Sequence, residues 1–162
     1  MAQTKKIVIL GHFGVGKTSL IRRYVDSAFS EDYLVTVGVH VKKKEIDLHD
    51  EKVTLVIWDV EGNTAIEKAR KSYLLGSHGF LYVFDVSRQE TYEQLAEEKA
   101  YLAANYSNIP FCVIGNKKDL LIDDAHRAFF DSENFKDCYF TSAKTGEDVE
   151  EVFLELTKAM VR

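Results

Sequence analysis

The sequence predicts an α/β fold, a six-stranded and mostly parallel sheet with one antiparallel edge strand, flanked by about five helices. Three observations point there. Strand-like apolar runs alternate with segments of helical periodicity, the pattern of βαβ units that place helices on both faces of a sheet. One run, Ile7 to Leu10, leads directly into Gly11-His12-Phe13-Gly14-Val15-Gly16-Lys17-Thr18, so a buried strand feeds a glycine-rich turn that opens a helix. Val37 to Leu48 and Val53 to Val60 are two long extended runs separated around Asp50-Glu51, which predicts an antiparallel hairpin at a sheet edge. With 162 residues, 46% of them hydrophobic, the chain suffices for one domain, residues 1–162, that buries roughly 70% of its unfolded surface.

The elements follow in order. After the glycine-rich turn, Leu20, Ile21, Tyr24 and Val25 share one helix face, and a loop follows near residues 26 to 36. In the hairpin, Lys42-Lys43-Lys44 would guard the open edge against pairing with another chain; docking of a partner is the alternative. Phe80 to Phe84 makes a fourth strand, and Tyr92, Leu95, Ala96, Leu102 and Ala103 are expected to face inward from a helix. Phe111 to Gly115 and Tyr139-Phe140 supply the last two strands. Val149, Val152, Phe153, Leu156 and Met160 recur at helical spacing and should pack on the sheet, with Glu147 and Asp148 suited to that helix's first turn. No repeat or low-complexity linker interrupts the series. Cys112 and Cys138 fall in apolar strand-like segments, where thiols behave as small hydrophobes and suggest a reducing compartment rather than a disulfide framework. The five histidines show no metal-ligand spacing.

Two strings carry chemistry. The spacing GxxxxGK[ST] lets consecutive backbone N–H groups of Gly14, Val15, Gly16, Lys17, Thr18 and Ser19 curl around a phosphate at the positive end of a helix dipole. Lys17 can reach β- and γ-phosphates as a point charge, and the Thr18 hydroxyl suits a hard Mg²⁺ ion. The second string, Asn116-Lys117-Lys118-Asp119, follows a buried run where a strand's C-terminal end opens onto a ligand crevice. The Asp119 carboxylate can accept from both the ring N–H and the exocyclic amine of guanine, a pair adenine does not offer. An acceptor left facing the wrong base is costly, which argues against an ATPase or kinase.

With these strings the chain resembles the Ras superfamily of small GTPases from Lys5 to about Met160. Trp58-Asp59-Val60-Glu61-Gly62 resembles its DxxG element, Thr36-Val37-Gly38 its first switch, and Ser142-Ala143-Lys144 its last base-contacting loop. The Thr-Val-Gly and Ile-Trp-Asp contexts are most similar to the Rab branch. The resemblance implies a switch that binds GTP with Mg²⁺ and hydrolyses it to GDP and phosphate. It assigns Thr18, Thr36 and Asp59 to the metal and Asn116, Lys117, Asp119, Ser142, Ala143 and Lys144 to the base, with the Ala143 N–H meeting the guanine carbonyl. Thr36 and Gly62 would touch the γ-phosphate, whose loss releases both loops. Effectors, an exchange factor and an activating protein are expected at about residues 30–45 and 60–75.

The reacting positions depart from that family, and Lys17, Thr36, Gly62, Asn63 and Glu61 are the candidate catalytic set. Asn63 stands where most relatives have glutamine, with the amide on a shorter stem, and a displacement of about 1 Å can cost on the order of 100-fold in rate. Phe13 stands where Ras proteins have a small glycine, and Glu61 where the family has alanine. Glu61 could orient water in place of the glutamine, could repel the γ-phosphate and favour GDP, or could simply point into solvent. Arg22, Arg23 and Arg70 are read as surface or packing residues. An arginine from a partner is worth roughly 10³- to 10⁵-fold; with Asn63 and Phe13 at the reacting positions, unaided hydrolysis is expected to be slow. The competing class is a non-catalytic module that keeps a nucleotide bound.

Net charge and chain ends bound the partners. With 21 Lys and Arg against 26 Asp and Glu, the net charge of −5 disfavours a nucleic-acid footprint or strong attraction to an anionic membrane. Met1-Ala2-Gln3 lacks the glycine that myristoylation needs, and Lys158-Ala159-Met160-Val161-Arg162 has no cysteine for prenylation. No lipid anchor is expected in this chain: either a tail lies beyond it or the protein works without one. A cytoplasmic monomer is expected, peripheral to a membrane through a partner or such a tail.

Overall fold

The computed structural model describes residues 2–30, 38–62, 66–69 and 71–162. Thr36, Val37, Asn63 and Arg70 lie outside them. In chain order the elements are β1 (Gln3–Gly11), α1 (Lys17–Asp26), β2 (Val39–Leu48), β3 (Glu51–Val60), α2 (Lys71–Leu74), β4 (Gly79–Asp85), α3 (Leu95–Asn105), β5 (Phe111–Asn116), α4 (Asp124–Phe130), β6 (Cys138–Phe140) and α5 (Val149–Val161). The six strands form one sheet in the order β2-β3-β1-β4-β5-β6. The β2–β3 pair is antiparallel and the other pairs are parallel. The predicted architecture is the one observed.

This order positions the site. β1 pairs with β3 on one side, bringing Ile9 opposite Asp59, and with β4 on the other, bringing Gly11 opposite Val83. Chain order therefore reverses across β1, and a crevice opens at the C-terminal ends of its neighbours. β1 can sit centrally because its side chains alternate between two apolar layers. Ile7 and Ile9 join Leu20, Tyr24, Val152, Phe153 and Leu156 from α1 and α5; Val8 and Leu10 join Phe80, Phe84, Leu95 and Phe130 on the opposite face. Tyr24 stacks on Phe153 with centroids 3.9 Å apart, which ties α1 to α5.

α3 corrects one expectation. Leu95 and Leu102 are buried, but Ala96 and Ala103 are exposed, and Glu98 takes the inward position between the two leucines. Residues 95, 98 and 102 follow the i, i+3, i+7 face of a helix, and the alanines lie beside it. The Glu98 carboxylate accepts the Ile66 N–H at 3.0 Å, so this carboxylate has a backbone partner, and burial raises its pKa. Tyr92 precedes α3 and packs edge-on against Phe84.

The lysine triplet lies on the edge strand β2, as the hairpin predicts, but two of its members fold back. Lys42 pairs with Asp26, and the Lys44 ammonium lies 3.8 Å from the Tyr24 ring centroid and donates to the Tyr24 carbonyl at 2.5 Å. Lys43 is the exposed member. The Cys112 and Cys138 thiols, both half-buried, are pushed up to about 11 by burial, so they remain protonated near neutral pH. Among the described residues, no helix is long and apolar enough to cross a membrane.

Candidate functional site

The glycine-rich turn closes on itself between β1 and α1. Gly16 caps α1 with φ of 101°, and a Cβ there would lie 2.3 Å from Asn116 Nδ2, so conformation and space both require glycine. Lys17 is buried, its ammonium donating to the carbonyls of Gly11 and His12 at 3.1 Å each. Burial pushes this ammonium down to about 8, against a smaller opposing pull from Asp59. The His12 imidazole is also lowered, first by burial and then by the charges of Arg88 and Lys17. An electropositive turn of this kind at the start of a ten-residue helix is built for an anion. Ser19 lies half-buried in the first turn of α1.

Beside Lys17, the Thr18 hydroxyl donates to Asp59 Oδ2 at 2.5 Å, joining α1 to the end of β3. A hydroxyl and a buried carboxylate in contact form a hard oxygen pair that suits Mg²⁺, which takes few protein ligands and completes its shell from phosphate and water.

On the other side of the crevice, Asn116 at the end of β5 is fully buried and joins three segments. Its Nδ2 donates to the Val15 carbonyl at 3.0 Å, while its Oδ1 accepts from Thr141 Oγ1 at 3.2 Å and from the Ala143 N–H at 3.3 Å. Lys117 stands in the left-handed region with φ of 66°, and its ammonium donates to the Gly14 carbonyl at 3.1 Å and pairs with Asp85 at 2.7 Å. Asp119 is exposed at the crevice rim, its Oδ1 accepting from the buried Ser142 hydroxyl at 2.7 Å. Ser142 Oγ in turn accepts the Thr145 N–H at 3.1 Å, which fixes the loop around Ala143 and Lys144. A chain of contacts therefore runs from Asp119 to Ser142, and from its neighbours Thr141 and Ala143 through Asn116 to the glycine-rich turn.

Two of the atypical positions, Phe13 and Glu61, lie on either side of Gly62 at the third wall. Gly62 lies directly on the turn: a Cβ there would come within 2.5 Å of Phe13 Cα. The Glu61 N–H donates to the Gly38 carbonyl at 2.8 Å, and its carboxylate accepts the Gly38 N–H at 3.2 Å. Glu61 thus does not point into solvent. Phe13 is 45% exposed. Thr36 and Asn63 lie outside the described residues.

Three participants escaped the sequence reading. Asp85, fully buried at the end of β4, takes Lys117 on one oxygen and the Ser87 N–H and hydroxyl on the other. Its only sequence signal is a carboxylate closing an apolar strand. Arg88 donates to the Phe13 carbonyl at 2.9 Å. Arg23, read as surface or packing, donates to the Ala143 carbonyl at 2.7 Å and the Lys144 carbonyl at 2.5 Å.

The sequence pattern of the Ras family matches residues 6–162. The chain belongs to the Ras family of small GTPases. It is 36% identical to the Ras-related protein RABG3e of Arabidopsis thaliana, over 94% of this chain and 80% of that protein. It is 34% identical to the Ras-related protein Rab-1 of Theileria annulata, over 96% and 73%, and 34% identical to the Ras-related protein Rab7 of Pisum sativum, over 94% and 80%. Within its family the GTPase lies in the Rab branch. As a member it is a nucleotide-dependent switch that binds GTP and GDP with Mg²⁺ and works with effector, exchange and activating proteins.

Proposed function

We propose that this GTPase hydrolyses GTP slowly by itself and signals through its segments at about residues 30–45 and 60–75. The clasp between Glu61 and Gly38 carries the reading, because it joins the described edges of both segments by one backbone and one side-chain hydrogen bond. A ligand that separates these edges must break both bonds, so nucleotide state and surface shape are coupled.

In this reading the backbone from Gly14 to Ser19 and the Lys17 ammonium hold the phosphates. Asn116, Lys117, Asp119, Ser142, Ala143 and Lys144 hold guanine, with Asp119 accepting from its N–H groups and the Ala143 N–H donating to its carbonyl. Thr18, Thr36 and Asp59 would hold Mg²⁺, which supplies charge to neutralise the β- and γ-phosphate oxygens. Lys17 and the Gly62 N–H would add donors at the reacting phosphate, and the Asn63 amide is the group proposed to act on the attacking water.

Three features support a slow unaided reaction. Asn63 carries its amide on a short stem. The phenyl ring of Phe13 stands at the phosphate turn that Gly62 touches. The Glu61 carboxylate is engaged by Gly38, which favours its role in biasing the nucleotide state over that of orienting water. Arg88, which binds a turn carbonyl and pairs with Glu90 at 3.1 Å, acts as a brace. Docking at the two segments is supported by a contiguous apolar surface: exposed Val41 opposes Trp58 across the hairpin, and Tyr73 packs beside Trp58 with centroids 6.3 Å apart.

Single-turnover phosphate release tests the proposal. The native chain is expected to turn over more slowly than Asn63→Gln in the absence of any partner. Native turnover faster than that of the variant would overturn it.

A further inference from the structure

The last turn of α1 carries a residue that no motif claims. Arg23 sends Nε to the Ala143 carbonyl at 2.7 Å and Nη2 to the Lys144 carbonyl at 2.5 Å, across 120 positions or more of sequence. A planar guanidinium presents these donors side by side in a fixed fork, and two successive carbonyls facing it fix the orientation of the loop backbone. The aliphatic part of Arg23 contributes as well: its Cδ lies 3.5 Å from where a Cβ on Gly146 would stand. On its other side the same loop gives the Ala143 N–H to Asn116 Oδ1 at 3.3 Å, a long bond that leaves this donor available to a stronger acceptor. The loop is thus held between two anchors, α1 and the end of β5.

We infer that Arg23 is a positioning residue for guanine recognition, holding the Ala143–Lys144 backbone so that the Ala143 N–H is presented to the 6-oxo group of the base. This rests on the assignment of Ala143 as the donor to that carbonyl. The placement of Arg23 adds a mechanical consequence. Lys17 and Arg23 stand at opposite ends of one helix, about 9 Å apart along its axis. The phosphate turn and the base loop are therefore held by one rigid rod, and a shift of either end is felt at the other.

Guanosine diphosphate, inosine diphosphate and 2-aminopurine riboside diphosphate separate this role from a merely structural one. The inosine compound lacks only the exocyclic amine that Asp119 would accept from. The 2-aminopurine compound lacks the 6-oxo group that Ala143 would meet and, with it, the ring N–H that Asp119 would accept from; the second loss is common to native chain and variants because Asp119 is held by Ser142, so the change in preference between them reads the contact with Ala143. Affinities are measured by competition against fluorescent GDP for the native chain, Arg23→Met and Arg23→Lys. Arg23→Met should lower the preference for GDP over the 2-aminopurine compound by roughly tenfold, the scale of two lost hydrogen bonds to a positioned loop. The preference for GDP over the inosine compound should stay within about twofold, because Asp119 is held by Ser142 rather than by Arg23. Arg23→Lys, with one compact ammonium in place of the fork, should fall between the two, and it carries the test if Arg23→Met does not fold. An unchanged 6-oxo preference in the folded variants would overturn the inference, as would equal loss of both preferences. A native chain that binds GDP and the 2-aminopurine compound equally would instead overturn the assignments of Ala143 and Asp119 together.

Discussion

On one side of the crevice, Asn116, Lys117 and Arg23 join the phosphate turn, β4, β5 and the loop of Ser142 to Lys144 through side chains whose polar ends all have partners. On the other, among the described residues, Gly38, Glu61, Gly62 and Phe13 meet through short backbone approaches and one carboxylate. The first side is a cross-braced frame in which breaking one contact leaves several others in place. The second can rearrange by exchanging two hydrogen bonds, which is the property a nucleotide-sensitive surface needs. In the proposed function the cross-braced side identifies the ligand and the yielding side reports its state.

That contrast can be broken most severely at Gly62. An added Cβ would push the segment away from Phe13, so Gly62→Ala is expected to slow single-turnover hydrolysis by about 100-fold or more. GDP affinity should change by less than about threefold, because the cross-braced side is untouched. Equal loss of both would show that the two sides are one unit. Asp85→Ala tests the frame itself. It leaves the Lys117 ammonium without its buried partner, and GDP affinity measured by titration should fall by about 30-fold, or about 2 kcal/mol. An affinity within twofold of native would remove Asp85 from the frame.

The pH dependence of binding sharpens the comparison further. Lys17 in the nucleotide-free protein has its ammonium lowered to about 8, and an anionic ligand favours the protonated form. Below that value the charge is present before binding. Above it a proton must be taken up, so GDP affinity should fall by up to about tenfold per pH unit. The stability of the free protein responds with the opposite sign: the unfolded chain keeps its lysine proton up to about 10.4, so this group makes folding more favourable as pH rises from about 8 toward that value. A Lys17→Met variant with the same slope in affinity would assign the dependence elsewhere. The smallest effect is expected at Glu61. Glu61→Gln removes a charge near the phosphates, and the ratio of GTP to GDP affinity should rise by about threefold; a fall in that ratio would contradict a biasing role.

Much of this was legible without coordinates because the signals are local. The phosphate turn declares itself through glycines and a lysine at fixed spacing, and the β-strands through apolar runs whose order gives the sheet. Local signals failed where a residue's partner lies far along the chain. Apolarity places Ala96 and Ala103 in the core, yet Glu98 takes that place, with the Ile66 N–H as its partner. Arg23 carried no mark of its carbonyl partners, nor Asp85 of Lys117.

By itself the sequence determined the fold class, the family and the residues proposed to meet phosphate and guanine, since backbone curvature and side-chain chemistry are written within a few neighbouring positions. The tertiary structure alone decided which polar groups lock those loops together and that Glu61 closes on Gly38. Such pairings are set by the order of strands across the sheet, and no short-range pattern encodes which distant carbonyl or ammonium a buried polar side chain will meet.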